Sequence, residues 1–266
     1  MLPEGYQKRS FLRFSCEIDV STLISEFESI DPSVWESSYW GTVHCSIGML
    51  LLRGGDRGNE LDFFSDKVSD KDILAQLPYI HHLISANGPF GEAKYAFLFK
   101  MRANGVTLKH QDSMQEWFDM YRIHIPIITN AGAHLISESK SQHLNTGFAW
   151  TFNNQLDHGV VNGDEERVHL IFDAPFSEKM AYQIDAADFF EGITDQNHQR
   201  RINQTSQAVA SYPGDEVVIN GIKMMQQQGA NTEQIAQMLN AKNIPSKYYA
   251  NEEWSEASIA QMLVEN

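Results

Sequence analysis

The sequence predicts a mainly β domain of the sandwich or barrel class, with flanking helices and a small three-helix domain behind it. Two observations carry the β part. Between residues 93 and 173, short runs rich in β-branched and aromatic residues (AKYAFLFKM, VTLKHQD, YRIHIPIIT, GFAWTFN, HGVVN and RVHLIFD) alternate with Gly, Asn and Asp turns. Several short strands at such spacing form a sandwich or barrel. YRIHIPIIT and RVHLIFD also alternate in polarity with a period of two, the period of a strand with two different faces. The helical part is announced by a shift, from about residue 214, to Gln, Met, Asn and Glu with apolar residues at helical spacing.

The elements follow in order. Residues 11–14 read as a strand, and Val20, Leu23, Ile24 and Phe27 share one helix face. Trp35, Tyr39 and Trp40 precede a strand-like run over 46–52, and RGGDRGN after it is a turn. Residues 72–86 are helical in pattern, and Pro78 predicts a break or a second helix starting there. The polar stretch 132–147 reads as a loop, and 174–211 is mixed. Three short helices are expected at the end: 215–228 ended by Gly229, 232–241 capped by Asn231 or Thr232, and 255–264 capped at Trp254-Ser255. The domains are therefore drawn as 1–210 and 213–266.

A length of 266 residues accommodates one large core plus a small appendage, and 42% hydrophobic with 21% charged residues is ordinary for a globular chain. The net charge of −15 opposes broad phosphate binding and docking on an anionic membrane. Cys16 and Cys45 are too far apart for a CxxC motif. With no signal-peptide pattern and no long apolar run, a cytoplasmic location is expected.

LKHQDS is followed, 48 residues after its histidine, by LDHGVVN. Residues two apart on a strand point to one face, so His110 and Asp112 can converge, and His158 can join them from another strand. Two histidines and a carboxylate on one side of a metal leave open positions, the pattern of non-haem iron(II) oxygenases. An HxD triplet alone is weak. The competing reading makes His110 and Asp112 loop residues and His158 a surface or core histidine.

Two further strands bear on that choice. Arg122 and His124 share a face opposite Tyr121, Ile123, Ile125 and Ile127; Arg167 and His169 share a face opposite Val168, Leu170 and Phe172. Each polar face is either solvated or turned into the mouth of a barrel. In the second case a desolvated guanidinium needs an anion, and its planar fork suits a carboxylate.

Taken in order, HxD, YRIHIPIITN, FAWTFNN, HGVVN and RVHLIFD resemble the aspartyl/asparaginyl β-hydroxylase family, and are similar to bacterial free-proline hydroxylases over the same region. The resemblance covers 95–173, extends toward the N-terminus through Leu52-Arg53 and PYIHHLI, and stops before the last fifth. It implies a double-stranded β-helix (jelly roll), bound iron(II), and oxidative decarboxylation of the cosubstrate 2-oxoglutarate with dioxygen. It also implies iron ligation by His110, Asp112 and His158, pairing of Arg167 with the far carboxylate of 2-oxoglutarate, and a pocket lined by Arg122 and His124. An unactivated C–H of an amino acid, an aminoacyl group or a peptidyl Asp/Asn-like residue is the expected target. The rival from another class is a jelly-roll ligand sensor without turnover, its helical domain acting as effector.

Other residues have blander readings. His81 and His82 lie on a helix surface, and His134 and His143 in the polar loop. His169 shares the Arg167 face and is a pocket-lining candidate. Trp150 and Phe152 read as core, and Trp117 and Phe118 as packing or a lid. The segment GANTEQIAQMLNAKNIPS resembles recombinase-type helical modules, but residues 213–266 set three lysines against seven carboxylates, which opposes nucleic-acid binding. Packing, substrate docking or formation of a homodimer suits that segment better.

Overall fold

Alternating side chains become two faces only when strands pair, and here they pair into two antiparallel sheets. The computed structural model describes residues 11–35, 46–55, 67–112, 119–210, 214–242, 244 and 253–264. Its strands are β1 (Phe11–Arg13), β2 (Ile47–Gly54), β3 (Ser69–Asp70), β4 (Tyr95–Met101), β5 (Val106–His110), β6 (Met120–Ile128), β7 (His134–Ser137), β8 (Lys140–Gln142), β9 (Trp150–Phe152), β10 (His158–Val161), β11 (Arg167–Pro175) and β12 (Asp188–Phe190). The large sheet runs β12-β1-β9-β6-β11-β4-β2-β3 and the small one β5-β10-β7-β8. Phe11, Ile47, Met101, Trp150 and Phe152 of the large sheet pack with Leu135 and Val160 of the small one. That is a two-sheet jelly roll, as expected.

The outer face of the large sheet is the main core. Tyr121, Ile123, Ile125 and Ile127 of β6 and Val168, Leu170 and Phe172 of β11 join it. Against them lie two helices, α1 (Val20–Glu28) and α2 (Pro78–Ile84). Asp19 caps α1 by accepting from the Thr22 N–H. Buried Glu26 on α1 accepts from the N–H groups of Tyr79 and Ile80, so it caps α2 from a different element. Pro78 starts α2 after a 3₁₀ turn over Asp72–Gln76, which realises the expected break.

Two expectations need correction. The stretch 132–147 is no loop: it holds the β7–β8 hairpin, whose β7 pairs with β10 along its length. The strands are short and only Leu135 and Ile136 in them are apolar, so pairing rather than a sustained apolar alternation fixes them. The mixed stretch 174–211 contains α3 (Glu178–Asp185) and a longer helix, α4 (Gln196–Ala210). Of α4's side chains, Ile202 enters a buried cluster with Val106 and Leu108 of β5, Ile136 of β7 and Val161 of β10. A helix with so few apolar residues shows little periodicity.

The three C-terminal helices are α5 (Asp215–Gln227), α6 (Thr232–Ala241) and α7 (Glu256–Val264). Val218, Ile222, Ile235, Leu239, Trp254 and Ile259 form part of a cluster of their own, with Ile244 and Leu263 packed on it. Asn231 and Gln234 make a reciprocal capping box on α6. The Asn240 amide bonds both the N–H and the carbonyl of Trp254, which pins α6 to the segment entering α7. Among the described residues, no helix is long and apolar enough to cross a membrane. Cys45, Tyr39, Trp40, Trp117 and Phe118 lie outside the described residues.

Candidate metal centre

His110 ends β5 and His158 begins β10, and the two face each other directly in the ladder, their ring centroids 4.2 Å apart. Each imidazole donates its Nδ1–H to the carbonyl two residues back: His110 to Leu108 at 2.8 Å, His158 to Leu156 at 2.9 Å. A carbonyl can only accept, so the proton sits on Nδ1 and the lone pair on Nε2. The two Nε2 atoms lie 3.6 Å and 3.9 Å from opposite oxygens of Asp112. One ligand atom from each of the three residues falls within 4.8 Å of the other two.

Asp112 stands just past the end of β5 and is not part of the ladder. Its N–H donates to the carbonyl of Asn154 at 3.0 Å, and the Asn154 amide donates to its Oδ2 at 2.8 Å. Arg122 on β6 donates to the same Oδ2 at 2.5 Å. The other edge of that guanidinium grips Asp173 of β11 through two bonds of 2.9 Å. Arg122 lines the cavity, and its fork is already occupied by two carboxylates.

The electrostatics suit metal binding. Burial pushes His158 down to about 4 and lowers His110, so both imidazoles are neutral at neutral pH. Burial pushes Asp112 up, but Arg122, His158, Asn154 and His110 together hold it below the ordinary carboxylate value. The donor set is thus two neutral imidazoles and one carboxylate.

Beyond the triad the cavity continues to Arg167, His124, Phe152 and Thr107. Arg167 is 3% exposed and His169 1%, so their face is buried and not solvated. Burial lowers Arg167 to about 9, which still leaves it cationic at neutral pH. It lies within ion-pair distance of no carboxylate among the described residues; Nη2 donates to His169 Nδ1 at 2.9 Å. Neither ring nitrogen of buried His124 has a hydrogen-bond partner among the described residues. A buried cation without an anion, beside a histidine without hydrogen-bond partners among the described residues, is the setting of a site for an anionic ligand.

The remaining candidates sit elsewhere. His81 contacts Asp70 at 3.1 Å on the surface of α2. His134 stacks between His143 and His198, outside the triad. Trp150 is core, packed on Phe190; Phe152 is core as well, but its ring also touches His124 and His158. Asp173 and Asn154 were not foreseen. Asp173 shares strand parity with Arg167 and His169, and that parity could have found it; Asn154 leaves no such signal.

Residues 51–175 match the aspartyl/asparaginyl β-hydroxylase family. The matched stretch contains His110, Asp112, Arg122, His124, Asn154, His158, Arg167 and Asp173, and ends before α3. The resemblance read from the sequence is borne out there and reaches back into β2. A curated relative, L-proline cis-4-hydroxylase of Rhizobium meliloti (strain 1021), is 24% identical over 102 residues, covering 38% of this chain and 36% of the relative. The chain thus matches about a third of that relative's length. Among solved structures, an oxidoreductase of the 2OG-Fe(II) oxygenase family from Burkholderia pseudomallei is similar at a TM-score of 0.43 and 10% identity, covering 58% of this chain and 76% of the other. A Pseudomonas putida prolyl-4-hydroxylase is similar at 0.40 and 10% identity, covering 65% and 97%.

Proposed function

We propose that this chain is an iron(II)- and 2-oxoglutarate-dependent dioxygenase that hydroxylates an unactivated C–H bond of an amino-acid, aminoacyl or peptidyl Asp/Asn-like substrate. One observation carries the reading. Two neutral imidazoles and a carboxylate converge within 4.8 Å, and both imidazoles line the same cavity as a buried arginine that has no carboxylate partner among the described residues. The first group is a donor set for a divalent iron that leaves positions open. The second calls for an acid at a distance from the metal, and 2-oxoglutarate has a carboxylate at each end. The name of the proline-hydroxylating relative supports an amino-acid-like substrate.

His110, Asp112 and His158 would hold the iron, and Arg167 the far carboxylate of 2-oxoglutarate. Iron and 2-oxoglutarate together would supply dioxygen activation coupled to oxidative decarboxylation. The protein's own work is positional. The Leu108 and Leu156 carbonyls hold each imidazole in the tautomer that offers Nε2. Arg122 and Asn154 both bond Oδ2 of Asp112 and so orient the carboxylate. Phe152, Phe99, Leu135 and Ile171 wall the cavity and exclude water, which keeps Arg167 poorly solvated until an anion arrives. As a second part of the reading, residues 1–210 form the oxygenase domain and 213–266 a separate helical domain.

Anaerobic addition of iron(II) and then 2-oxoglutarate tests the cofactor pair through a visible charge-transfer band. Succinate formation on admitting air, screened against free amino acids and Asp/Asn peptides, tests turnover. Absence of the band from folded protein would overturn the proposal. A band without turnover on any substrate would favour the ligand-sensor reading.

A further inference from the structure

We infer that His169 is a positioning residue for Arg167: it holds the guanidinium with a neutral acceptor, so that the positive charge stays available to an incoming carboxylate. The inference rests on the proposed 2-oxoglutarate site and adds to it a residue that does not itself meet the metal.

The geometry is specific. Arg167 and His169 are two apart on β11, so both side chains leave the same face of the strand. Both are fully buried, and Arg167 Nη2 donates to His169 Nδ1 at 2.9 Å. A guanidinium has no lone pair to offer, so Nδ1 must accept and the imidazole must be neutral, with its proton on Nε2. Ladder pairing to β4 fixes the backbone beneath the pair, with Arg167 opposite Met101 and His169 opposite Phe99, and β6 pairs with β11 from Val168 onward. The Arg167 side chain would otherwise choose among many rotamers, and one strong acceptor removes most of that freedom before any ligand arrives.

The choice of a histidine acceptor has a consequence that a carboxylate would not. Arg122, on the neighbouring strand β6, is paired with two aspartates and its charge is compensated. An acidic residue at position 169 would do the same to Arg167 and compete with a bound dicarboxylate. A neutral imidazole orients the donor and leaves the charge unbalanced. His124, which lies with its ring centroid 5.9 Å from that of His169, is neutral as well, so neither histidine balances the charge of Arg167.

Three substitutions separate this role from general packing. His169→Asn keeps an acceptor where Nδ1 stood, His169→Leu keeps bulk without an acceptor, and His169→Asp adds an anion. The full-length chain is loaded with iron(II) anaerobically, and 2-oxoglutarate is titrated by the charge-transfer band and by calorimetry. Iron affinity should stay within about twofold in all three, since none touches the triad. Affinity for 2-oxoglutarate should be close to wild type in His169→Asn, about tenfold weaker in His169→Leu and on the order of a hundredfold weaker in His169→Asp. Equal 2-oxoglutarate affinity in wild type and His169→Leu overturns the inference. Should His169→Leu fail to fold, His169→Asp binding as tightly as His169→Asn overturns it equally. Failure of wild type itself to give the band sinks the proposed function, a different outcome from a band that ignores position 169.

Discussion

Arg122 and Asp112 are joined by a 2.5 Å hydrogen bond that also ties β6 to the residue just past β5. The guanidinium is held from behind by Asp173 on β11, 51 residues from Arg122, so side chains of β6 and β11 together set the direction of one carboxylate. The arrangement gives Asp112 an anchor on Oδ2 and turns Oδ1 toward His110. Partners of this kind to a ligand typically contribute tenfold to a hundredfold in metal affinity.

Asp173→Asn and Arg122→Lys should therefore weaken iron(II) binding by about tenfold while the fold persists. Lysine cannot grip Asp173 through two parallel bonds and reach Asp112 at once. Competition titration with a metal chelator gives the affinity, and unchanged values in both variants would make the Arg122 network structural only.

His110→Ala, His158→Ala and Asp112→Ala should each abolish iron-dependent 2-oxoglutarate turnover. Circular dichroism should remain that of wild type, because the ladder between β5 and β10 is made by backbone groups. Asp112→Glu is expected to keep part of the activity, since a longer carboxylate can still reach toward the two imidazoles. Full turnover in any alanine variant would remove that residue from the ligand set.

Arg167→Met should weaken 2-oxoglutarate binding far more than iron binding. Truncating one partner of a buried charged pair costs about 2–5 kcal/mol, which is on the order of thirtyfold or more in affinity. The same substitution should raise the melting temperature of the ligand-free protein, because it removes a buried cation that has no carboxylate partner among the described residues. Differential scanning fluorimetry with and without ligand separates the two effects; a lower melting temperature without ligand would mean the cation is stabilised by the folded protein itself.

Acid should destabilise the metal-free protein in a defined window. Burial first, then Arg167, hold His124 and His169 well below the ordinary histidine value of 6.5. In the unfolded chain both protonate near that value, so below it the unfolded state binds more protons and stability falls as pH falls. The loss begins near pH 6.5, and each buried histidine adds at most about 1.4 kcal/mol per pH unit. Chemical denaturation at a series of pH values should show this slope, and a His124→Asn, His169→Asn double variant should flatten it. An equal slope in the double variant would assign the acid sensitivity to other groups.

Removal of residues 213–266 should leave iron and 2-oxoglutarate binding intact, because every proposed site residue precedes α3 and the last three helices have their own buried cluster. Loss of either binding would show that the boundary is misplaced. Retained 2-oxoglutarate consumption with lost substrate hydroxylation would assign the segment to substrate docking. The isolated segment should bind no duplex DNA in a salt-sensitive way, since its carboxylates outnumber its lysines.

What the sequence determined by itself was whatever depends on local period and residue type. The alternation in YRIHIPIIT and RVHLIFD separated the core face from the polar face correctly, because a strand offers only two directions. The HxD spacing brought His110 and Asp112 to one place, and helix periodicity with caps located α5, α6 and α7. Tertiary structure alone decided the rest. Whether the polar faces of β6 and β11 meet water or a cavity depends on the small sheet lying over them, and no single strand encodes that. The pairing of His110 opposite His158 is a matter of register between strands 48 residues apart. Asn154 reaches Asp112 from a turn with no pattern of its own, and α4 is held through Ile202 on a sheet that its own polar sequence does not announce. Arg122 and Arg167 look alike on paper. Only packing gives one of them two aspartates and the other a neutral histidine, because charge compensation is set by which strands become neighbours.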